Sequence, residues 1–156
     1  QSPLEDSSNF AQQLTAAKAA QKSSLIQLAA CTNLLSARLT IPEAIKLVSS
    51  YVKAGADVLV LETPTAIDDG VKLFCHAYQK SELNIPLLFL LSADSVIQEP
   101  EYFNLGAKGF IFDTHLLSSA YGQMVKTAES LLQSTKYELT LTPLSEIQML
   151  LRQGTE

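Results

Sequence analysis

The chain has 156 residues, 47% hydrophobic and 17% charged, which is typical of a globular protein with a substantial core rather than of a disordered segment. Sixteen acidic and 11 basic side chains give a net charge of -5, the wrong sign for a protein that binds nucleic acid. No apolar run is long enough to cross a membrane, and the two cysteines, Cys31 and Cys75, form neither a metal-binding spacing nor a disulfide framework.

The first half of the chain predicts two helices around a short strand. We expect a helix over 9–22 and a buried strand over Leu25–Ala30. A second helix opens at Thr40, whose side chain can cap the amide of Glu43 while Glu43 reaches back, and Gly55 ends it. The predicted core stripes are Phe10, Leu14 and Ala17 on the first helix, and Ile45, Val48 and Val52 on the second.

The second half continues the alternation of strand and helix. The run Val58–Leu61 is typical of a strand covered on both faces, and Thr65, with Asp68 three residues on, starts the next helix. Two further buried strands are predicted over Pro86–Leu91 and Gly109–Phe112. The remaining predicted helices are a short one over Pro100–Leu105, a long one marked by Leu117 to Leu131, and a C-terminal one over 142–152.

This order predicts a single α/β domain over 1–156, with βα units from about 25 to 134. Buried strands that alternate with helices form a parallel sheet with right-handed crossovers. The sheet is either an open doubly wound one or part of a (β/α) barrel, and in both architectures chemistry sits at the carboxyl ends of the strands. Those ends are Ala30–Asn33, Glu62–Pro64, Leu91–Asp94 and Asp113–His115.

Two candidate catalytic residues lie at these strand ends. Glu62 can act as a base, ligate a metal or hold a substrate hydroxyl, or it can be a solvated acid beside Asp68 and Asp69. His115 can transfer a proton, or it can cap the long helix. Spacing alone decides neither case.

The other strand-end positions give weaker candidates. Cys31, Thr32 and Ser92 are placed to contact a substrate, although Cys31 has no predicted base beside it and also fits a small buried hydrophobe. His76 is expected to be solvated, and Cys75 beside it is expected to pack in the core. No metal ligand is assigned, and no glycine-rich loop supports a dinucleotide or P-loop site.

Five segments together resemble one known family: AAKAAQKSSLIQLAACTN (16–33), PEAIKLVSSYVKAGADVLVLE (42–62), NIPLLFLLS (84–92), EYFNLGAKGFIF (101–112) and PLSEIQMLLRQ (143–153). In this order they are similar to the C-terminal half of the barrel of the phosphoenolpyruvate mutase/isocitrate lyase superfamily. The resemblance runs over essentially the whole chain, and its AGAD turn is its most specific part.

The resemblance implies a fold and a chemistry. Family members are complete (β/α)8 barrels that bind Mg²⁺ and break or rearrange C–C or P–C bonds beside a 2-oxo acid, the metal neutralising the developing oxyanion. They are commonly tetramers or dimers of dimers that exchange their last helices. The family's magnesium-binding carboxylates and gating loop belong to the other half of the barrel, so no cofactor is expected in this chain, and Mg²⁺ only in a complete barrel.

When the family's functional positions are compared one by one with this sequence, the resemblance implies a site that differs from the family's. Cys31 stands where the family has an arginine that holds the substrate carboxylate, and a thiol cannot replace that cationic fork. Leu90 stands at a strand position that is often Asn in the lyases. Only Glu62 matches a functional position of the family.

Three interpretations remain open at this point. The first is a catalytically degenerate half barrel that acts as a fragment or structural subunit and associates with a protein partner or with itself. The second is a pseudo-receiver of the response-regulator type, a protein-interaction module. The third is a barrel lyase, completed by another chain, with Glu62 as its base.

The start of the chain and its cysteines bear on processing and compartment. Because it begins at Gln1 with neither Met nor an apolar leader, we expect a processed protein or a piece of a longer one. Two cysteines without a disulfide framework favour a soluble protein of a reducing intracellular compartment, the cytoplasm or an organelle.

Overall fold

The computed structural model describes residues 3–34, 39–62, 67–92, 99–132, 142–146 and 149. The chain divides into two compact units, Gln1–His115 and Leu116–Glu156. The first unit carries the four-stranded sheet, and the described residues of the second are mainly helical. A single domain over 1–156 stays a prediction.

Helices and strands alternate along the first unit, as the sequence predicts. The helices are α1 (Pro3–Ala20), α2 (Ile41–Lys53), α3 (Asp69–Lys80) and α4 (Glu99–Asn104). The strands are β1 (Ala29–Thr32), β2 (Val58–Glu62), β3 (Leu87–Leu91) and β4 (Gly109–Phe112). The long helix α5 (His115–Leu132) starts at the last residue of this unit and continues in the second. Residues 144–146 are helical as well, and most of the C-terminal helix expected over 142–152 lies outside the described residues.

The first strand lies further along the chain than the sequence predicts. Leu25 is 91% exposed in a turn whose backbone is held by Ser23, so Leu25–Ala30 is not the strand. The strand starts at Ala29 because that residue is in register with Val58 of β2. Helix α1 likewise begins earlier than the predicted range 9–22, at Pro3, and ends at Ala20.

The helix starts follow local capping chemistry. Thr40 caps α2 as predicted: Oε2 of Glu43 accepts from its backbone amide at 2.8 Å and from its hydroxyl at 2.7 Å. Helix α3 begins later than expected, since Asp68 is its cap and accepts a hydrogen bond from the Val71 amide at 2.8 Å. The predicted start at Thr65 lies outside the described residues.

The four strands form one parallel sheet in the order β1-β2-β3-β4. A doubly wound sheet reverses its strand order at a switch point, as in the order 2-1-3-4-5 of flavodoxin-like folds. Strands that are neighbours both in sequence and in space are instead typical of a (βα) barrel. Of the two predicted architectures, the structure therefore has that of a barrel segment.

The core lies between one face of the sheet and the helices. The buried face of helix α2 is rotated relative to the predicted stripe. Of the predicted residues, Ile45 and Val52 are only partly buried. Helix α3 buries Val71, Phe74, Cys75 and Tyr78. The fully buried side chains include Val48, Leu59, Leu61, Val71, Phe74, Phe89, Leu91 and Tyr102.

No helix within the described ranges is long and apolar enough to cross a membrane.

Candidate functional site

The two faces of the sheet differ, and this difference places the candidate residues. Leu59, Leu61 and Phe89 belong to the core, so alternate residues of the strands point towards the helices. Val58 and Val60 are buried as well but lie outside that core cluster, as expected for the opposite face. We call the face towards the helices the outer face and the opposite one the inner face.

Cys31 and Glu62 share the inner face near the carboxyl ends of β1 and β2. Cys31 is in register with Val60, and Glu62 follows Val60 by two residues on the same strand. Both side chains are exposed. Glu62 is in turn in register with Leu90 of β3.

The electrostatic surroundings keep the Cys31 side chain uncharged. Partial burial raises the pKa of the thiol above its ordinary value of 9.0, and the negative charge of Glu62 raises the pKa further, against a smaller opposing effect of the Thr32 backbone. The thiol is therefore neutral at pH 7. A neutral thiol beside a carboxylate is neither an activated nucleophile nor an anchor for an anion.

Of the other substrate-contact candidates, Thr32 does not join this pair on the inner face. Thr32 is half-buried and in register with Leu61, on the outer face of β1. Ser92 is half-buried directly after β3. Both lie at the carboxyl edge of the sheet as predicted, and their role as substrate contacts stays a prediction.

His115 lies at the start of α5, after β4. Its ring meets that of Phe112 edge-on, with 5.1 Å between the centroids, and its two ring nitrogens are buried without a hydrogen-bond partner. Phe112 is in register with Leu91, a core residue of the outer face. The structure thus places the imidazole against an aromatic ring, and proton transfer by His115 stays a prediction.

A magnesium site in this chain would need carboxylate oxygens at the carboxyl edge of the sheet. Mg²⁺ requires oxygen ligands in near-octahedral geometry and is held by carboxylates together with water or substrate. Within the described part of the chain, no three His, Cys, Asp or Glu side chains come together to hold a metal ion. Glu62 offers an exposed carboxylate on the inner face at this edge.

A structural clamp at the opposite end of the strands, which sequence reasoning missed, positions β1. The Lys18 ammonium lies 2.8 Å from both carboxylate oxygens of Asp57, and Oδ2 of Asp57 also accepts from the Leu28 amide at 2.9 Å. These bonds tie α1 and the entry to β1 to the start of β2. The AGAD turn contains this aspartate, but its partner is 39 residues away and carries no local signal.

Gly55 allows this clamp to form. Its φ of 105° is a conformation that favours glycine, and a Cβ there would lie 2.7 Å from Cγ of Lys18. The glycine of the AGAD turn thus ends α2 and leaves room for the lysine stem.

The strands of this parallel sheet follow one another in sequence order, and helices lie on its outer face. Polar groups lie at its carboxyl edge. This arrangement defines a segment of a (βα) barrel. The family model described as phosphoenolpyruvate phosphomutase matches residues 1–132. The chain belongs to this family, and so to the phosphoenolpyruvate mutase/isocitrate lyase superfamily.

Solved structures share the fold. A phosphoenolpyruvate phosphomutase from Streptomyces platensis subsp. rosaceus superposes with a TM-score of 0.80 at 23% identity, over 95% of this chain and 52% of that one. Phosphonopyruvate hydrolase in complex with oxalate and Mg²⁺ gives 0.78 at 21% identity, over 95% and 53%. Oxaloacetate acetylhydrolase in complex with oxalate gives 0.71 at 21% identity, over 95% and 54%.

These comparisons cover unequal shares of the two chains. At such identities the likeness shows the fold alone. This chain spans about half the length of the solved structures it matches. No curated protein sequence matches it significantly.

Proposed function

We propose that the chain is a catalytically degenerate, incomplete barrel of its superfamily that acts as a structural or interaction subunit. The observation that carries this proposal is the pair of Cys31 and Glu62 on the inner face. The family resemblance aligns Cys31 with the arginine that holds a substrate carboxylate. In this chain the position has a neutral thiol next to a negative charge.

Cysteine in place of arginine removes the positive charge from this strand end. An arginine offers a planar cationic fork with two parallel hydrogen bonds to a carboxylate, which neither a thiol nor a lysine reproduces. Glu62 repels an incoming carboxylate unless a cation stands between them. A 2-oxo acid would therefore find no anchor at this strand end.

The metal supports the same conclusion. In the family, Mg²⁺ stabilises the oxyanion that develops beside the 2-oxo acid. Among the described residues, no three His, Cys, Asp or Glu side chains come together. The chain spans about half of its structural neighbours, and the resemblance assigns the magnesium carboxylates to the other half.

Exposed apolar surface supports a role in association. Helix α5 has no buried residue, and five of its large apolar side chains are more than 60% exposed. Large exposed apolar side chains are typical of protein–protein interaction sites. The resemblance implies oligomers that exchange their last helices. We therefore propose a homo-oligomer or a protein partner. The side chains are Leu116, Leu117, Tyr121, Met124 and Leu132.

Binding of oxalate with Mg²⁺ tests the proposal. A ligand that binds only the native state raises its melting temperature. We expect no shift of Tm for the purified chain at millimolar oxalate and Mg²⁺, with or without Cys31→Ala. A saturable rise of Tm that requires both ligands would contradict the proposal.

The variant Cys31→Arg sharpens this test. In a barrel completed by co-expression of the N-terminal half of a relative, we expect Cys31→Arg to gain oxalate binding and Cys31→Ala to gain none. Equal binding by wild type and Cys31→Arg would mean that Cys31 does not occupy the arginine position.

One observation favours a second candidate. Glu62 is exposed on the inner face, at a position where the resemblance implies a functional glutamate. Completed by another chain, the barrel would be a lyase with Glu62 as its base. Turnover of a 2-oxo acid by the completed barrel, abolished by Glu62→Gln, would replace the first proposal with this one. The pseudo-receiver is disfavoured by the sequential strand order, since receivers have the order 2-1-3-4-5.

A further inference from the structure

We propose that the partner is a second copy of this chain, and that β1 of each copy pairs with β4 of the other to close an eight-stranded parallel barrel. This inference rests on the proposed function, which it deepens by naming the partner. It draws on three features of the first unit: its strand edges, its inner face and its number of helices.

Both edges of the sheet are open to pairing. Within the described residues, β1 pairs only with β2, and β4 pairs only with β3. Natural edge strands are protected by charges, prolines or bulges. Neither edge strand contains a charged residue or a proline: β1 reads Ala-Ala-Cys-Thr and β4 reads Gly-Phe-Ile-Phe.

The strand order makes the two edges complementary. All pairs are parallel and follow the sequence, so a copy related by a two-fold axis along the strands presents its β4 to β1 and its β1 to β4. The order becomes β1-β2-β3-β4-β1-β2-β3-β4, which closes with every pair parallel. Eight parallel strands are the number that fills a barrel interior with side chains alone.

Burial on the inner face decreases from the middle of the sheet to its edges. Val58 and Val60 of β2 are buried, whereas Cys31 on β1 is exposed and Ile111 on β4 is 40% exposed. Apart from Glu62 at the carboxyl end, the inner-face residues in register across the sheet are apolar or small, as the layers of a barrel interior are. A second sheet facing the first would bury the edge positions.

The helices of the first unit also match one half of a barrel. A barrel of eight strands carries one outer helix per strand. The unit has four strands and four helices, and α1 precedes β1. Helix α1 is held by the Lys18–Asp57 clamp and by Phe10, whose ring centroid lies 4.9 Å from that of Tyr51. On the outer face of β4, Phe112 is 48% exposed, and α1 of the second copy would cover this aromatic edge.

The first experiment measures the mass of the purified 156-residue chain in solution. We expect a dimer of twice 17.0 kDa by light scattering and native mass spectrometry. Ile111→Lys places a charge inside the closed barrel, and we expect it to yield monomers that keep the helical circular dichroism of wild type. The matched control is Leu73→Lys, which replaces an exposed apolar side chain of α3 away from both strand edges and should stay dimeric.

Cross-linking locates the contact and does not depend on a destabilising change. In the closed barrel, position 111 of one copy and Cys31 of the other lie on the inner face of adjacent strands, β4 and β1. With Ile111→Cys and a bis-maleimide that spans roughly two strand spacings, about 9 Å, we expect a covalent dimer on a denaturing gel. Ile111→Cys combined with Cys31→Ala, and Leu73→Cys alone, should remain monomeric on that gel.

The outcomes separate this inference from the function on which it rests. A monomer at tens of micromolar, or a dimer unaffected by Ile111→Lys and not linked through Cys31, overturns the barrel dimer and leaves the structural role standing. Binding of oxalate with Mg²⁺ overturns the structural role, whatever the mass. A dimer that loses association with Ile111→Lys and cross-links through Cys31 supports the closed barrel.

Discussion

The two faces of one sheet differ in how completely they are covered. On the outer face Ala30, Leu59, Phe89 and Leu91 are fully buried under helices. On the inner face Cys31 is exposed, although it is the immediate neighbour of Ala30. The outer face accounts for why the unit folds, and the inner face is where we propose that a second copy packs.

The largest expected effect is on the outer face. Phe89→Ala removes a fully buried ring that meets Tyr102 edge-on at 4.8 Å, and we expect a loss of about 3–5 kcal/mol in the free energy of unfolding. Urea denaturation followed by circular dichroism measures this loss. Leu73→Ala, on a side chain that is 59% exposed, should stay within about 0.5 kcal/mol of wild type. Equal losses of stability in Phe89→Ala and Leu73→Ala would contradict the burial of Phe89 in the core.

The turn before β2 should give the next largest effect. Gly55→Ala forces a side chain into a φ of 105° and against the Lys18 stem, for which we expect a loss of about 1–3 kcal/mol. Gly122 offers a matched control because it is helical and a Cβ there meets nothing within 4 Å. Gly122→Ala should be neutral or stabilising by up to about 1 kcal/mol, since alanine favours a helix. If Gly55→Ala left the free energy of unfolding unchanged, the positive φ of Gly55 and its close approach to Lys18 would be contradicted.

The clamp at Asp57 should make stability depend on pH. Its hydrogen bonds, first from the Leu28 amide and then from Lys18, hold the pKa of the carboxyl below its ordinary value of 3.8. Because the folded pKa is the lower one, the stabilisation is complete above pH 3.8 and is lost as pH falls through the folded pKa. Urea midpoints between pH 2 and 6 should show Asp57→Asn losing stability at pH 6 and converging with wild type in acid.

Lys18→Gln separates the two partners of this carboxyl. It should lose less stability at pH 6 than Asp57→Asn, because the Leu28 amide still donates to Asp57. Losses of the same size would mean that the ammonium, rather than the amide, accounts for the whole effect.

The smallest expected effect concerns the reactivity of Cys31. Since desolvation and Glu62 raise its pKa, alkylation at pH 7 should be slower than for an unperturbed thiol. Glu62→Gln should accelerate it slightly without restoring normal reactivity, because desolvation is the larger cause. Glu82→Gln, on an exposed acid in the loop after α3, should leave the rate unchanged.

Cys75 provides an internal reference in the same assay. Burial raises its pKa to about 12, so it should react only on unfolding. Rapid labelling of both thiols in the native protein would contradict the burial of α3.

Local signals predicted most of the fold. The capping box at Thr40 and the apolar run that begins at Val58 act within a few residues, and both lie where the sequence places them. The errors concern distant contacts. Leu25 and Ile26 look like strand residues, but pairing with β2 starts β1 four residues after Leu25.

The candidate site was predicted only in part. That Cys31, Thr32 and Glu62 lie at strand ends follows from the order of the elements. Which of them share a face depends on the register between strands, and the register places Cys31 with Glu62 and turns Thr32 to the other face. The charge environment of Cys31 likewise exists only once two strands pair.

The contact between Lys18 and Asp57 also constrains how the protein folds. It joins residues 39 apart, across the whole of α2, so it cannot form until β1 and the end of α2 are in place. Among the described side chains of α1, the apolar contacts with the core come from Phe10, Ala11 and Leu14. We therefore expect α1 to dock in a late step of folding, after the parallel strands have found their register.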